Sequence, residues 1–135
     1  MDMKHRAFSL IELLVVIAIM GILIAIATVS YSTIQKRARD SRRTTDLKAI
    51  QQAMEQYHAD NLSAYPGACS GLSTTYLPSG MPSDPKTGIR YDDDTLSSCG
   101  ADLYCFCAPM EASSGNTTTD CFGTLGAFYC IRNVQ

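Results

Sequence analysis

The feature that most limits what this chain can become is residues 13–29, LLVVIAIMGILIAIATV, a run of 17 residues without a charge. As a helix it covers roughly 26 Å, and extended back to Phe8 it covers roughly 33 Å, about one bilayer core. A soluble domain hides such a helix only by surrounding it on every side. With 135 residues in all, this chain has too few left to do so. One membrane-spanning helix near the N-terminus is therefore predicted. No second run of this kind occurs in the sequence, which excludes a multi-span protein.

Beyond the run the chain stays helical in pattern but turns polar. Neither proline nor glycine occurs between Ile22 and Asn61. Leu47, Ile50, Met54 and Tyr57 fall at helical spacing and form one apolar stripe. Lys36 with Asp40, Asp40 with Arg43 and Arg42 with Asp46 set opposite charges one turn apart. The two stretches read as a single helix of about 50 residues, stopped by Asn61 and Pro66. Residues 62–135 are richer in Ser, Thr, Gly and Pro and hold all 6 cysteines. Residues 103–108 and 127–133 are the best strand candidates, with a shorter third at 89–91. A turn-rich stretch, 113–120, separates the first two.

Charge follows the same division. Lys36, Arg37, Arg39, Arg42, Arg43 and Lys48 outweigh Asp40 and Asp46 by 4, whereas residues 60–135 carry a net charge of −5. The overall net charge of −2 and a mean hydropathy near zero average these unlike parts.

A C-terminal portion of this size buries too little apolar surface to be comfortably stable and calls for staples. Cys69, Cys99, Cys105, Cys107, Cys121 and Cys130 can supply three disulfides, which implies an oxidising space outside the cytoplasm. A zinc site lacks the usual C-x-x-C spacing. On one strand, Cys105 and Cys107 point to the same face about 6.5 Å apart, too far for a mutual bridge. Other connectivities remain open, with a hairpin bridge from one of the two to Cys130 preferred.

Glu12 stands at the front of the apolar run, where an unpaired carboxylate costs a few kcal/mol at depth. Arg6-Ala7-Phe8-Ser9-Leu10-Ile11-Glu12, followed at once by that run, resembles the type III signal peptide of type IV prepilins and pseudopilins. Gly21, the stretch 38–66 and Asp84-Pro85-Lys86-Thr87-Gly88-Ile89-Arg90-Tyr91 are similar to the same family. Ala7 stands where the family usually has glycine, and Leu62 where glycine commonly follows Asp-Asn.

The resemblance implies an α+β fold: a long N-terminal helix whose first half spans the membrane and whose second half packs on a small antiparallel β-sheet head. It divides the chain into a leader at 1–7, a transmembrane and filament-core helix at 8–29, an amphipathic periplasmic helix at 30–61 and a disulfide-stapled head at 62–135. Prepilin peptidase would cut between Ala7 and Phe8, and the new Phe8 amine would be N-methylated. The implied work is assembly rather than catalysis. Glu12 of an incoming subunit would offset the amine of a neighbour, and Gly21 would ease local unwinding of the helix. The partners implied are the peptidase, copies of this chain or other pilins, an inner-membrane assembly platform and, before assembly, membrane lipid. The chain would sit as a single-pass inner-membrane protein with its head outside the cytoplasm, then enter a periplasmic or cell-surface filament. A major-type pseudopilin of a type II secretion system is the alternative reading. The basic belt at 36–48 would meet acidic heads of adjacent subunits, or else form a solvated face.

Other readings are weaker. The belt, taken alone, predicts the head inside the cell; the cysteines and the leader pattern point outward. Ala25-Ile26-Ala27 fits an ordinary signal-peptide cut before Thr28, leaving a secreted disulfide domain, but Glu12 sits badly in such a segment. For an enzyme, His58 would be the histidine left after processing; it has no nucleophile beside it in the sequence and reads as a surface residue. Asp92, Asp93 and Asp94 are calcium candidates, because the resemblance implies a calcium-binding head loop and oxygen-rich loops suit that ion; the plain reading is a solvated acidic turn. No other cofactor is expected. The belt has no interleaved aromatics and the head is acidic, so no nucleic acid partner is expected.

Overall fold

The structure is a computed structural model and describes residues 8–72, 74–93 and 95–133, with backbone alone at 28–30. Helix α1 runs Leu10–Asp60 and is followed by four strands: β1 Ser97–Cys99, β2 Tyr104–Pro109, β3 Thr117–Thr119 and β4 Leu125–Arg132. The fold is α+β, as expected. The chain divides into two compact units, Met1–Gln35 and Lys36–Gln135.

In the first unit, Ser9 starts the helix. Its carbonyl accepts from the Glu12 and Leu13 amides at 3.1 and 3.3 Å. One stretch of α1 is long and apolar enough to cross a membrane, and none of it is buried. Phe8 through Ala27 are exposed throughout.

The second unit is built on a helix face that is apolar by design of spacing. Leu47, Ile50 and Met54 are fully buried and Ala53 nearly so. Tyr57, the last member of the predicted stripe, is half-buried and meets Tyr76 edge-on at 5.3 Å. The sheet is antiparallel in the order β1-β2-β4-β3. Alternation along β2 sends Tyr104, Phe106 and Ala108 into one core with the helix face and Ile131. Cys105 and Cys107 point the other way and cluster with Phe128 and Cys130. A sheet packed on one helix leaves its outer face wet; here sulfur and one phenyl ring cover it.

The disulfides are Cys69–Cys99, Cys105–Cys121 and Cys107–Cys130. Cys107 and Cys130 stand directly opposite in the β2–β4 register, and a direct pair brings the two Cβ atoms close enough to bridge. Gly115 lies at φ 67°, and any Cβ there would run into the Phe128 carbonyl. That close approach lets Asn116 serve as an extra rung, donating to Cys130 O at 2.7 Å and accepting from Cys130 N at 2.8 Å.

Two expectations need correction. The third strand candidate, 89–91, is one isolated bridge, Ser83 to Arg90, because Tyr91 turns into the core instead of continuing a ladder. The turn-rich stretch 113–120 contains β3, pinned by Asn116 rather than by any apolar pattern.

Candidate functional site

Two groups of residues carry the chemistry, one in each unit. The first is the helix start. Glu12 is the single charged residue between Phe8 and Gln35. Its Oε2 accepts from the Ser9 amide at 3.4 Å, which with the Ser9 carbonyl contacts makes Ser9-Leu10-Ile11-Glu12 one side of a capping box. The S-x-x-E spacing signals this cap, and a reading of Glu12 as an assembly residue alone overlooks it. The carboxylate is thus folded back toward Phe8, at the end where the helix dipole favours negative charge. Gly21 has open space around it. Ala7 lies outside the described residues.

The second group is a buried ion cluster. Arg43 has 1% side-chain exposure. Its Nε donates to Asp84 Oδ2 at 2.6 Å and its Nη2 to Asp84 Oδ1 at 3.2 Å. Nη1 donates to Asp40 Oδ1 at 3.0 Å and to Glu111 Oε1 at 2.9 Å. Asp40 also accepts from the amides of Glu111, Ala112 and Ser113 at 2.8–3.2 Å. Asp84 closes its own turn, accepting from the Lys86 and Thr87 amides at 2.8 Å. Arg39 forks onto Glu111 with two bonds of 2.8 Å, and Lys86 joins at 3.2 Å.

The electrostatics follow the geometry. Burial pushes Asp40 up, but the three loop amides and Arg43 outweigh it and hold its pKa below the ordinary value. Asp84 is likewise pushed up by burial and pulled lower by Arg43 and its turn amides. The Arg39 fork, against some desolvation, keeps Glu111 well below the carboxylate range. Each acid stays ionised, and the cluster ties α1 to the loops at 84–88 and 110–113.

This changes the reading of the basic belt. Arg43 and Arg39 are spent on acids of the same chain, because helix residues facing the core meet the head's own carboxylates first. Lys36, Arg37, Arg42 and Lys48 remain exposed. His58 is also corrected: it is buried and stacks on Tyr65 at 4.4 Å between ring centres, since the helix end carries it under the loop that follows.

Of the calcium candidates, the two described already have protein partners. Asp92 takes two bonds from the Arg90 guanidinium at 2.7 and 3.0 Å. Asp93 accepts from the Thr95 amide and hydroxyl. Asp94 lies outside the described residues. Among the described residues, the group of metal-ligating type that does come together is Cys105, Cys107 and Cys121.

Comparison with known proteins bears on the first group. Residues 2–28 match the model of the prokaryotic N-terminal methylation motif. The type IV major pilin protein PilA of Myxococcus xanthus is 26% identical over 85% of this chain and 64% of its own length. The type II secretion system core protein G of Pseudomonas aeruginosa is 37% identical over 62% of this chain and 58% of its own. The protein of the same name from Dickeya chrysanthemi is 28% identical over 64% and 56%. The chain thus spans less than two thirds of the length of these curated relatives. No solved structure matches it. With Glu12 at the head of an exposed apolar helix, the chain carries a prokaryotic N-terminal methylation motif and is similar to a type IV major pilin and to type II secretion system core proteins G.

Proposed function

We propose that this chain is a structural subunit of a type IV pilus-like filament, without catalysis of its own. The observation that carries the proposal is the helix of the first unit: apolar on every face, unburied from Phe8 to Ala27, and bearing Glu12 as its single charge. Such a surface needs lipid before assembly and other helices after it. Peptidase cleavage between Ala7 and Phe8 would place a cationic amine, a substrate for N-methylation, close to the Glu12 carboxylate. An ammonium–carboxylate pair in a medium of low dielectric is far better than either charge alone, so it selects the register in which a neighbour's amine meets Glu12. The chain sits as a single-pass inner-membrane protein with its head in the oxidising compartment until the assembly platform draws it into the filament. Its relatives named for type II secretion support a second reading, a major-type pseudopilin whose filament stays periplasmic.

The test separates the charge from the cap. Glu12→Gln retains a side-chain oxygen for the Ser9 amide but removes the charge. Membrane insertion and cleavage are expected to persist, with filament yield falling at least about tenfold, the factor of a single 1.4 kcal/mol step. Sheared-surface mass spectrometry and immunoblotting read this out, and normal filament yield from Glu12→Gln overturns the charge-pair role. Deletion of the gene separates the two readings: loss of surface filaments favours the pilus, loss of secretion with no surface filament favours the pseudopilin.

A further inference from the structure

Most charged side chains of the second unit are spent on partners in the same chain. Arg39, Arg43 and Lys86 hold Glu111, Arg43 also holds Asp40 and Asp84, and Arg90 holds Asp92. Among the described residues, the side chains of Lys36, Arg37, Lys48 and Arg132 on one side, and of Asp60 and Asp102 on the other, have no ion pair or hydrogen bond within the chain, and all are exposed. Arg37, Lys48 and Asp60 stand on α1, so helix geometry fixes where they lie relative to one another.

A helix turns about 100° per residue. Arg37 and Lys48 therefore stand within about 20° of each other around the axis, and Asp46 and Asp60 within about 40°. The two pairs are about 120–180° apart, and the buried stripe of Leu47, Ile50 and Met54 runs between them. Gln51, one turn on from Lys48, donates to Arg132 O at 3.3 Å, which brings a third exposed cation to the basic flank. The acidic flank opens into a hollow lined by Asp46, Gln52, Gln56 and Leu77. Asp46 is half-buried there, its Oδ2 has no hydrogen-bond partner, and Arg42 approaches it no closer than 3.8 Å.

We propose that a second copy of this chain docks flank to flank, with Arg37, Lys48 and Arg132 of one copy against Asp46 and Asp60 of the next. The proposal rests on the filament reading and names the contact through which the heads join. Arg37 precedes Asp46 by about 14 Å of helix, and Lys48 precedes Asp60 by about 18 Å. One displacement of about 16 Å along the helix brings both pairs level to within about 2 Å, which the long, flexible stems of Lys and Arg absorb. The two flanks are different surfaces, so the contact is heterologous; displaced along the axis, it repeats as an open helix instead of closing into a ring. A two-fold contact of the basic flank with itself would set like charges together. Exposed ion pairs are weak singly, but opposite charges on opposite flanks fix which face meets which and in what register.

Carbodiimide coupling, which joins an amine to a carboxylate only where the two touch, is applied to sheared filaments and to isolated cell envelopes carrying the full chain. A Lys48–Asp60 linked peptide is expected by mass spectrometry. Because the two residues lie about 18 Å apart within one helix, that link has to run between copies. Lys48→Glu and Asp60→Lys should each lower filament yield about tenfold or more, with the amount of cleaved subunit and the denaturation midpoint of the head unchanged. The two substitutions combined in one chain should return the yield to within about twofold of the unmodified protein, since coupled sites are not additive. Filaments without the Lys48–Asp60 link, single variants that assemble normally, or a double variant that does not recover would each overturn this contact and leave the filament reading standing. An unmodified chain that gives neither filaments nor linked oligomers in either fraction would overturn the filament reading and this contact with it.

Discussion

Residues 10–35 and 36–60 belong to one α-helix and meet the world in opposite ways. In the earlier stretch every side chain described is exposed, and its large apolar residues are about half to four-fifths accessible. In the later stretch a single face is buried, and it includes Asp40 and Arg43 beside Leu47, Ile50 and Met54. A helix that is apolar all round specifies a medium; it packs equally well in lipid or among copies of itself. A narrow stripe flanked by charge specifies one partner surface, because a one-residue rotation would bury the wrong groups. The first half is suited to changing its surroundings, and the second to keeping them.

The sharpest way to break this contrast is to remove the charge that commits the second half. Arg43→Met retains the side-chain stem but strips Asp84 and Asp40 of their cation. Both carboxylates remain buried, and loss of one partner from a buried ionic group costs about 3–5 kcal/mol. Chemical denaturation of the full chain in detergent, followed by near-ultraviolet circular dichroism of the head, should show that loss. Arg42→Ala is the control one residue away. Arg42 is 69% exposed and 3.8 Å from Asp46, so it should cost no more than about 0.5 kcal/mol. Equal effects from the two substitutions would end the claim that Arg43 anchors the head.

Acid should act on the same cluster. Asp40, Asp84 and Glu111 are all held below their ordinary values in the folded head. In the window beneath about pH 4, where free carboxylates titrate, the unfolded chain therefore binds protons that the folded chain refuses. Stability is then complete above the ordinary values and falls as pH drops through that window. Asp46, raised by burial, acts in the opposite sense and blunts the slope. Melting temperatures measured from pH 6 to pH 2 should decline steadily below about pH 4, and less steeply in Arg43→Met, where Asp84 and Asp40 keep only their amide partners. An identical slope in both proteins would mean that the acids are held down by something other than Arg43.

How much of this could be read in advance differs between the units for a physical reason. The apolar run, the stripe at Leu47, Ile50 and Met54, and the strands around Phe106 and Tyr129 are local patterns, and the sequence displays them directly. β1 and β3 have three residues each, mostly Ser and Thr, and lie at the sheet edges; such pieces are too short for an alternation to show. Within the ion cluster the Asp40–Arg43 pair lies one turn apart and shows in the spacing, but the bonds that tie α1 to the head loops join residues 41 to 73 positions apart, so no spacing rule reaches them. Glu12 was legible because it is the lone charge in its setting. Asp84 and Glu111 were not, being two acids among many in a head of net negative charge. That Cys107 rather than Cys105 bridges to Cys130 depends on the β2–β4 register, which Phe106 and Ile131 set by sharing the helix-facing core.

The smallest effect concerns the point where the second half of α1 ends. The Ser63 amide donates to the His58 carbonyl at 3.1 Å, closing the last turn in the manner of a Schellman cap. Leu62 sits where that cap places a left-handed residue, at φ 55°, and its side chain is 99% exposed. It gains no packing in return for the strained backbone, which costs a residue with a Cβ about 1 kcal/mol. Leu62→Gly should accordingly stabilise the head by up to about 1 kcal/mol, less the greater freedom glycine brings to the unfolded chain. Denaturation midpoints would show it as a small upward shift at unchanged slope. If Leu62→Gly destabilises the isolated subunit, the side chain contributes packing that its exposure does not reveal. If it stabilises the subunit but weakens filaments, then Leu62 is kept for a contact with a neighbouring copy, and the end of the packed half shares the outward-facing role of the first.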